Sequence, residues 1–220
     1  MRVWGVALVR VFKQIAAVLM LSGVTGCASD DIGALSARPK FALGSLFPSQ
    51  SETREDAVTP THGRAAKPPS GYIGFCQRFS DQCTAPAGAP RQVHMTETLW
   101  HTLEEVNIAF NTAFVAEDDA THYGKEEYWN IPTDGYGDCE DYVVAKRQVL
   151  IHLGLPEPAL RIAVVLTPNF VRHAVLTVVT DDGNFVLDNL HNEIVAWEKT
   201  EYVFLERQDP ASVTGWVSLR

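Results

Sequence analysis

Two kinds of residue spacing follow one another along this chain, and their order restricts the fold. Residues 99–114 carry apolar side chains at helical intervals behind a candidate N-cap, Thr96, and residues 143–153 repeat the helical spacing. Runs rich in β-branched and aromatic residues come afterwards, at 160–167, 173–180, 184–188, 194–197, 202–206 and 216–219. Helices followed by strands joined through short turns predict an α+β domain, with N-terminal helices packed on an antiparallel β-sheet.

The N-terminal segment 1–27 has the pattern of an export signal. Basic residues precede an apolar run, and small residues lead to Cys27. The tetrapeptide Val-Thr-Gly-Cys that ends there resembles a bacterial lipobox, so Cys27 is a candidate for lipidation; plain cleavage near Ala28 is the alternative. Residues 28–70 are rich in Ser, Thr, Ala and Pro without sustained periodicity, which predicts a flexible tether. One folded domain is predicted over 71–220.

The charge of the chain argues against nucleic acid as a partner. The full sequence has a formal net charge of −9, and without segment 1–27 the charge becomes −12, because that segment holds three basic residues and no acids. Such acidity repels phosphate backbones. We therefore expect an extracytoplasmic protein in the periplasm, anchored to the membrane where Cys27 carries a lipid.

The four cysteines are expected to be in different chemical states. Export places them in an oxidising compartment, where Cys76 and Cys83 are close enough in sequence to form a disulfide. With Cys27 at the processing site, Cys139 is left unpaired. A single free thiol in an exported protein is a candidate reactive group, and a buried inert cysteine is the alternative. No zinc site is expected, because the remaining polar candidates lack ligand spacing, namely His122, His152 and His191.

Cys139 lies in the segment 137–142, Gly-Asp-Cys-Glu-Asp-Tyr, where a loop is predicted to enter a helix. The free backbone N–H groups and the dipole of a helix start favour a thiolate there. Three neighbouring acids act in the opposite direction and raise the pKa of the thiol. Asp138 and Glu140, with Asp141 as a further ligand, are candidates to bind Ca²⁺, which would relieve their repulsion. A solvated helix start, where carboxylates are favoured, is the alternative.

Cysteine catalysis also needs a base that takes the thiol proton and a polar group that orients this base. His173 is the best candidate base because it opens a predicted strand, and Asp188 ends the partner strand as the candidate orienting group. If 182–183 form a two-residue turn, the two side chains share a face but lie four residues apart along the ladder. Contact then requires a bulge or a shifted register, so Asn189 and Asn192 stay as alternatives.

These residues together resemble the bacterial transglutaminase-like cysteine proteinases, a family that includes the LapG-type periplasmic proteases. The matching features follow one order over nearly the whole domain, at 74–76 with Cys83, 128–132, 137–146, 173–176 and 186–189. The resemblance implies a papain-like or transglutaminase-like α+β fold, and peptide-bond hydrolysis with Cys139 as nucleophile, His173 as general base and Asp188 as orienting residue. It further implies calcium binding by Asp138 and Glu140, and a large surface adhesin as the substrate.

The primary functional hypothesis is therefore an exported cysteine endopeptidase that depends on calcium. A transglutaminase would form the same acyl-enzyme and resolve it with an amine instead of water. A lipoprotein binding module with a degenerate site is a hypothesis from another class. The complete set Cys139, His173 and Asp188 argues against degeneracy.

Overall fold

The computed structural model describes residues 63–209 and 211–220. The predicted signal 1–27 with its candidate lipidation site Cys27, and residues 28–62 of the predicted tether, lie outside the described residues. Four α-helices are present in the described part: α1 Ser70–Arg78, α2 Glu97–Ala113, α3 Asp119–Tyr123 and α4 Cys139–His152. Among the residues described, no helix is long and apolar enough to cross a membrane.

An antiparallel sheet forms the scaffold on which the helices pack. Its strands are β1 Arg64–Ala66, β4 Leu160–Leu166, β5 Arg172–Thr180, β6 Gly183–Leu187, β7 Val195–Ala196, β8 Val203–Asp209 and β9 Ser212–Ser218. A separate sheet of two parallel strands consists of β2 Val115–Ala116 and β3 Tyr136–Gly137. The seven strands run in the order β1-β9-β8-β4-β5-β6-β7. The predicted α+β class, with helices first and an antiparallel sheet second, is confirmed.

The two predicted helices differ in how they are buried. α2 begins at the predicted N-cap, where the Thr96 hydroxyl accepts a hydrogen bond from the Leu99 N–H at 3.0 Å, and it buries one apolar face. α4 packs against both β5 and α2, and its residues from 140 to 150 are buried on all sides. The helix predicted from the spacing of 143–153 is present as α4, and its burial shows that it is a central helix rather than a surface helix.

Both faces of the sheet are covered. On one face, Ile162 and Leu176 join a core cluster with Phe110 of α2 and Leu150 of α4. On the other face, a smaller apolar cluster is covered by side chains from the segment before β8 and from β8 itself; this cluster consists of Ala163, Val165, Val175 and Val186 under Trp197, Tyr202 and Phe204. The segment before β8 that covers this smaller cluster thereby places Tyr202 at the end of the sheet where His173 lies.

Ordered structure begins before the predicted domain boundary at residue 71. Arg64–Ala66 fall in the predicted tether but form β1, an edge strand that pairs with β9. Ser70–Arg78, for which we predicted no helix, form α1. A strand of three residues is too short to show the alternation that identifies a strand in sequence, so only its pairing with β9 defines it.

The turn between β5 and β6 corrects the prediction for 182–183. Thr180 pairs with Gly183, so Asp181 and Asp182 form the turn. The reason lies outside the hairpin, because the Asp181 carboxylate accepts a hydrogen bond from the Met95 N–H at 2.7 Å, and the Asp181 N–H donates to the Val93 carbonyl at 3.0 Å. A segment far away in sequence thus selects the turn residues.

The disulfide predicted between Cys76 and Cys83 is present and joins α1 to the short 3₁₀ turn Ser80–Cys83. We expect replacement of both cysteines by alanine to lower the free energy of unfolding by about 2–3 kcal/mol, because the cross-link restricts the unfolded chain. For a domain of this size the melting temperature should fall by roughly 5–10 °C. Thermal unfolding with and without reductant measures the effect. Reductant should destabilise the parent protein and leave the double variant unchanged; an insensitive parent would contradict the prediction.

Candidate active site

The free thiol lies where α4 begins. Cys139 is the first helical residue, directly behind the N-cap residue Asp138, and it is the free cysteine among the described residues. Gly137 allows the chain to enter the helix at this point, because a Cβ atom there would lie only 2.8 Å from the Cβ of Asp141. The Sγ atom donates a hydrogen bond to Glu140 Oε2 at 3.0 Å and accepts one from the Ala174 N–H at 3.4 Å. The start of α4 is thus in direct contact with β5.

His173 and Asp188 form a buried pair. The two atoms in contact are His173 Nε2 and Asp188 Oδ1, at 2.8 Å. Asp188 accepts two further hydrogen bonds, one from the Leu190 N–H at 2.9 Å and one from the Tyr202 hydroxyl at 2.5 Å. Burial acts to raise the pKa of Asp188, but the hydrogen bonds, first that of His173, hold it below the usual value. Asp188 therefore stays ionised against the imidazole ring.

The register of the hairpin explains this contact. Thr177 faces Val186, whereas the predicted turn would have placed it opposite Asp188. Continuing the observed register puts Asp188 opposite Val175, two residues from His173 rather than four. Diagonal neighbours on one face of an antiparallel pair are within reach of long side chains. The hairpin therefore has the shifted register that contact between His173 and Asp188 requires.

The three predicted catalytic residues lie at the same end of the sheet. The thiol contacts the N–H of Ala174, the residue after His173, and the His173 ring contacts Asp188. Because Nε2 contacts the carboxylate, Nδ1 is the ring nitrogen that could take a proton from the thiol. Neither asparagine that we kept as an alternative orienting group takes this position: the Asn192 side chain contacts Asn111 of α2 instead. Asn189 Oδ1 is buried without a hydrogen-bond partner.

A carboxylate cluster lies beside the thiol. Oxygens of Asp119, Asp138 and Glu140 are all within 4.8 Å of one another. Asp119, in α3, was not predicted from the sequence; it lies 19 residues before Asp138 and belongs to no motif, so only the fold brings it here. Asp141, predicted as a further ligand, is outside this group, and its Oδ1 accepts the Asn130 N–H at 2.6 Å.

The cluster lacks compensation for its negative charge. The buried Oδ1 atoms of Asp119 and Asp138 have no hydrogen-bond partner. Burial, with the carboxylates of Glu140, Asp119 and Asp141, raises the pKa of Asp138 to about 9. Burial likewise raises the pKa of Glu140, and that of Asp141 to about 8. Three close carboxylates, two of them with an unsatisfied buried oxygen, fit a hard divalent cation such as Ca²⁺, which prefers oxygen ligands.

The same carboxylates oppose ionisation of the thiol. Burial and the adjacent Glu140 raise the pKa of Cys139 well above its usual value, although the Ala174 N–H acts in the opposite direction. The thiol hydrogen is therefore held by Glu140 in this arrangement. Conversion to a nucleophile requires that the thiol hydrogen leave Glu140 for a base.

A thiol at a helix start, a histidine on β5 and a carboxylate directly after β6 are the residue types that a transglutaminase-like thiol enzyme uses. The family model for bacterial transglutaminase-like cysteine proteinases (BTLCP) matches residues 62–220, and the chain belongs to this family of cysteine proteases. The family predicted from the motifs is confirmed.

Solved structures of LapG from Legionella pneumophila are similar to this chain. The calcium-bound and EGTA-treated forms are each 24% identical over 62% of this chain, cover 72% and 70% of their own chains, and give a TM-score of 0.44. Among curated proteins, none matches this chain.

Proposed function

We propose that this protein is an exported cysteine endopeptidase that uses Cys139, His173 and Asp188 as its catalytic triad. The observation that carries the proposal is the bond between His173 and Asp188, together with the contact of the Cys139 thiol with the N–H of Ala174, the residue that follows His173 in β5. Membership of a cysteine protease family supports hydrolysis of peptide bonds as the reaction.

Each residue has a defined role in the proposed reaction. The Cys139 sulfur attacks the carbonyl carbon of the scissile peptide, and its proton passes to Nδ1 of His173. The resulting imidazolium protonates the leaving amine, which breaks the C–N bond and leaves an acyl-enzyme. His173 then takes a proton from water as the water attacks the acyl carbon, and Cys139 is released. Asp188 orients the ring and stabilises the imidazolium. Backbone N–H groups at the start of α4 are candidates to stabilise the oxyanion.

Calcium is part of the proposal, with Asp119, Asp138 and Glu140 as its protein ligands. The supporting observations are the close approach of the three carboxylates and the unsatisfied buried Oδ1 atoms of Asp119 and Asp138. The bound cation would supply the positive charge that the cluster lacks. A Glu140 engaged as a ligand would be a weaker acceptor for the thiol hydrogen, leaving His173 as its acceptor. The residues around Cys139 would thus be ordered and electrostatically prepared together.

The proposed location is the periplasm, with a lipid anchor at Cys27. The signal-like segment 1–27 and the resemblance of its end to a lipobox support this part of the proposal. The Cys76–Cys83 disulfide suits an oxidising compartment. Mass spectrometry of the mature N-terminus tests it: we expect a diacylated Cys27 as the first residue. An unmodified terminus at any other position would exclude the anchor.

The proposed substrate is a periplasmic or cell-surface protein, adhesin-like by the family resemblance. The test compares protein fragments released by cells that carry the natural protein, Cys139→Ala or His173→Ala. We expect one or a few N-terminal fragments that appear only with the natural protein. The purified protein, supplied with calcium, should then produce the same fragment from the purified substrate. Identical fragments in all three strains would overturn the proposed proteolysis.

A further inference from the structure

A buried lysine lies behind the candidate catalytic residues. Lys146 is in the middle of α4, and only 1% of its surface is exposed. Its Nζ donates hydrogen bonds to Asn107 Oδ1 and to Asn111 Oδ1, each at 2.7 Å. Both asparagines belong to α2, where a spacing of four residues places them on one face. A buried ammonium carries a large desolvation cost, so its partners are informative.

The other ends of the two amides hold the loop that carries Asp188. Asn107 Nδ2 donates to the carbonyls of His191 and Asn192, at 3.0 and 3.1 Å. Asn111 Nδ2 donates to the Asp188 carbonyl at 2.9 Å, the His191 carbonyl at 3.1 Å and Asn192 Oδ1 at 3.0 Å. Loop residues 188–192 have no strand ladder of their own, because β6 ends at residue 187. Hydrogen bonds from the two asparagine side chains take the place of the backbone hydrogen bonds of a strand.

The lysine determines which way the amides point. A primary amide accepts hydrogen bonds at its oxygen and donates them at its nitrogen. The Lys146 ammonium attracts both oxygens, so both NH₂ groups face the carbonyls of the loop. If either amide were reversed, its NH₂ group would face the ammonium and its oxygen would face the loop carbonyls. A neutral apolar side chain at position 146 would remove this preference and leave the loop free to shift.

We propose that Lys146 is a positioning residue for the catalytic carboxylate: through Asn107 and Asn111 it holds the loop 188–192 so that Asp188 contacts His173. The inference rests on the proposed function of Cys139, His173 and Asp188. Burial lowers the pKa of Lys146 to about 7, and the Asp188 carboxylate opposes this lowering. The carboxylate that the lysine positions thus favours the charged form of the lysine.

Arg147 provides a matched control. It is the next residue of α4, is equally buried at 2% exposure, and is also a cation with hydrogen-bonded partners. Those partners lie elsewhere: Glu157 Oε1 at 2.5 Å, the Leu160 carbonyl at 3.2 Å and the Gln82 carbonyl at 2.9 Å. Arg147→Met thus removes a buried cation of the same helix without touching the loop 188–192.

The experiment measures the rate of alkylation of Cys139 by iodoacetamide as a function of pH, with calcium present, in the full folded protein. Lys146→Met and Asn111→Ala are each expected to slow the reaction at neutral pH by about 10- to 100-fold, because misplacement of a catalytic group by about 1 Å has effects of this size. Their pH profiles should move toward that of Asp188→Ala. Arg147→Met should lower the melting temperature but keep the rate and the pH profile of the parent.

The outcomes separate two kinds of failure. If Cys139 of the parent reacts no faster than a free thiol, the proposed triad itself is wrong. If the parent is activated and Lys146→Met or Asn111→Ala keeps its rate and profile, only the positioning role is overturned. It is also overturned if Arg147→Met changes the profile as much as Lys146→Met. Asn111 is only half-buried, so Asn111→Ala provides the decisive measurement where Lys146→Met fails to fold.

Discussion

Replacement of His173 by alanine is expected to slow alkylation of Cys139 at neutral pH about 100-fold or more, which is the usual contribution of a positioned base. Burial and Glu140 keep the thiol protonated, so its reactivity depends on a neighbouring group that removes the proton. We assign this role to His173, because it precedes Ala174, whose N–H contacts the thiol, and because its ring is bonded to Asp188. Asp188→Asn should also slow the reaction, since an amide stabilises the imidazolium less than a carboxylate does.

The measurement is iodoacetamide labelling in the presence of calcium, followed by mass spectrometry of the peptide that contains Cys139. His152→Ala is a suitable control, because His152 ends the same helix and its Nδ1 contacts the Gln148 carbonyl, far along α4 from the thiol. That variant should label at the rate of the parent. Equal labelling rates in the parent and in His173→Ala would refute the role of His173 as the base.

Addition of calcium to the metal-free protein is expected to raise its melting temperature by roughly 5–10 °C when the free ion is about 100-fold above its dissociation constant. The physical reason is the buried carboxylate cluster of Asp119, Asp138 and Glu140, which without a cation must either take up protons or hold charges that repel one another. Differential scanning calorimetry in EGTA and in excess calcium measures the shift. Magnesium should have a smaller effect, because it requires a more rigid octahedral site.

The pH dependence of this shift has a definite sign. Burial raises the pKa of Asp138 to about 9 and that of Asp141 to about 8 in the folded protein, above the unfolded value of 3.8. Between pH 4 and pH 8–9 the metal-free folded state therefore holds protons that the unfolded state has released. Its stability falls as the pH rises through this window. Calcium binds the deprotonated carboxylates, so the stabilisation by calcium should grow with pH.

Asp138→Asn separates the cluster from general effects of calcium. Without calcium this variant should melt at a higher temperature than the parent, because it no longer buries a carboxyl group whose pKa folding raises, and it should lose the response to calcium. Asp182→Asn is the control, since Asp182 is exposed in the β5–β6 turn, away from the cluster. It should keep the full response. Identical melting temperatures of the parent in EGTA and in excess calcium would contradict the calcium proposal.

Local sequence was sufficient for the parts of the site that lie within one element. The N-cap of α2, the start of α4 at Cys139 and the strand that carries His173 follow from spacing and residue type over a few residues. The disulfide between Cys76 and Cys83 is local in the same sense, because seven positions separate its ends. Each of these features depends on neighbours along the chain, which a single sequence displays.

Contacts between segments that are distant in the sequence could not be predicted from local sequence patterns. The β5–β6 turn was predicted one residue too late, since the side chain that selects it, Asp181, is bound by residues near Met95. Asp119 was not predicted as a ligand because it belongs to no motif, and β1 was not predicted because three residues are too few to show a strand pattern. The helical spacing of α4 did not indicate that the helix is buried all round. In each case the deciding partner lies many residues away.

The sequence by itself determined the order of helices and strands, the family motifs, the acidic charge and the identity of the three catalytic candidates, because these depend on residue type and short spacing. Only the tertiary structure decided that Asp188 rather than Asn189 or Asn192 contacts His173. It also brought Asp119 to the carboxylate cluster and placed Lys146 behind the loop that carries Asp188. The physical reason is register and packing: a shift of one residue in a turn moves a side chain by two positions along its partner strand, and no local pattern specifies that shift.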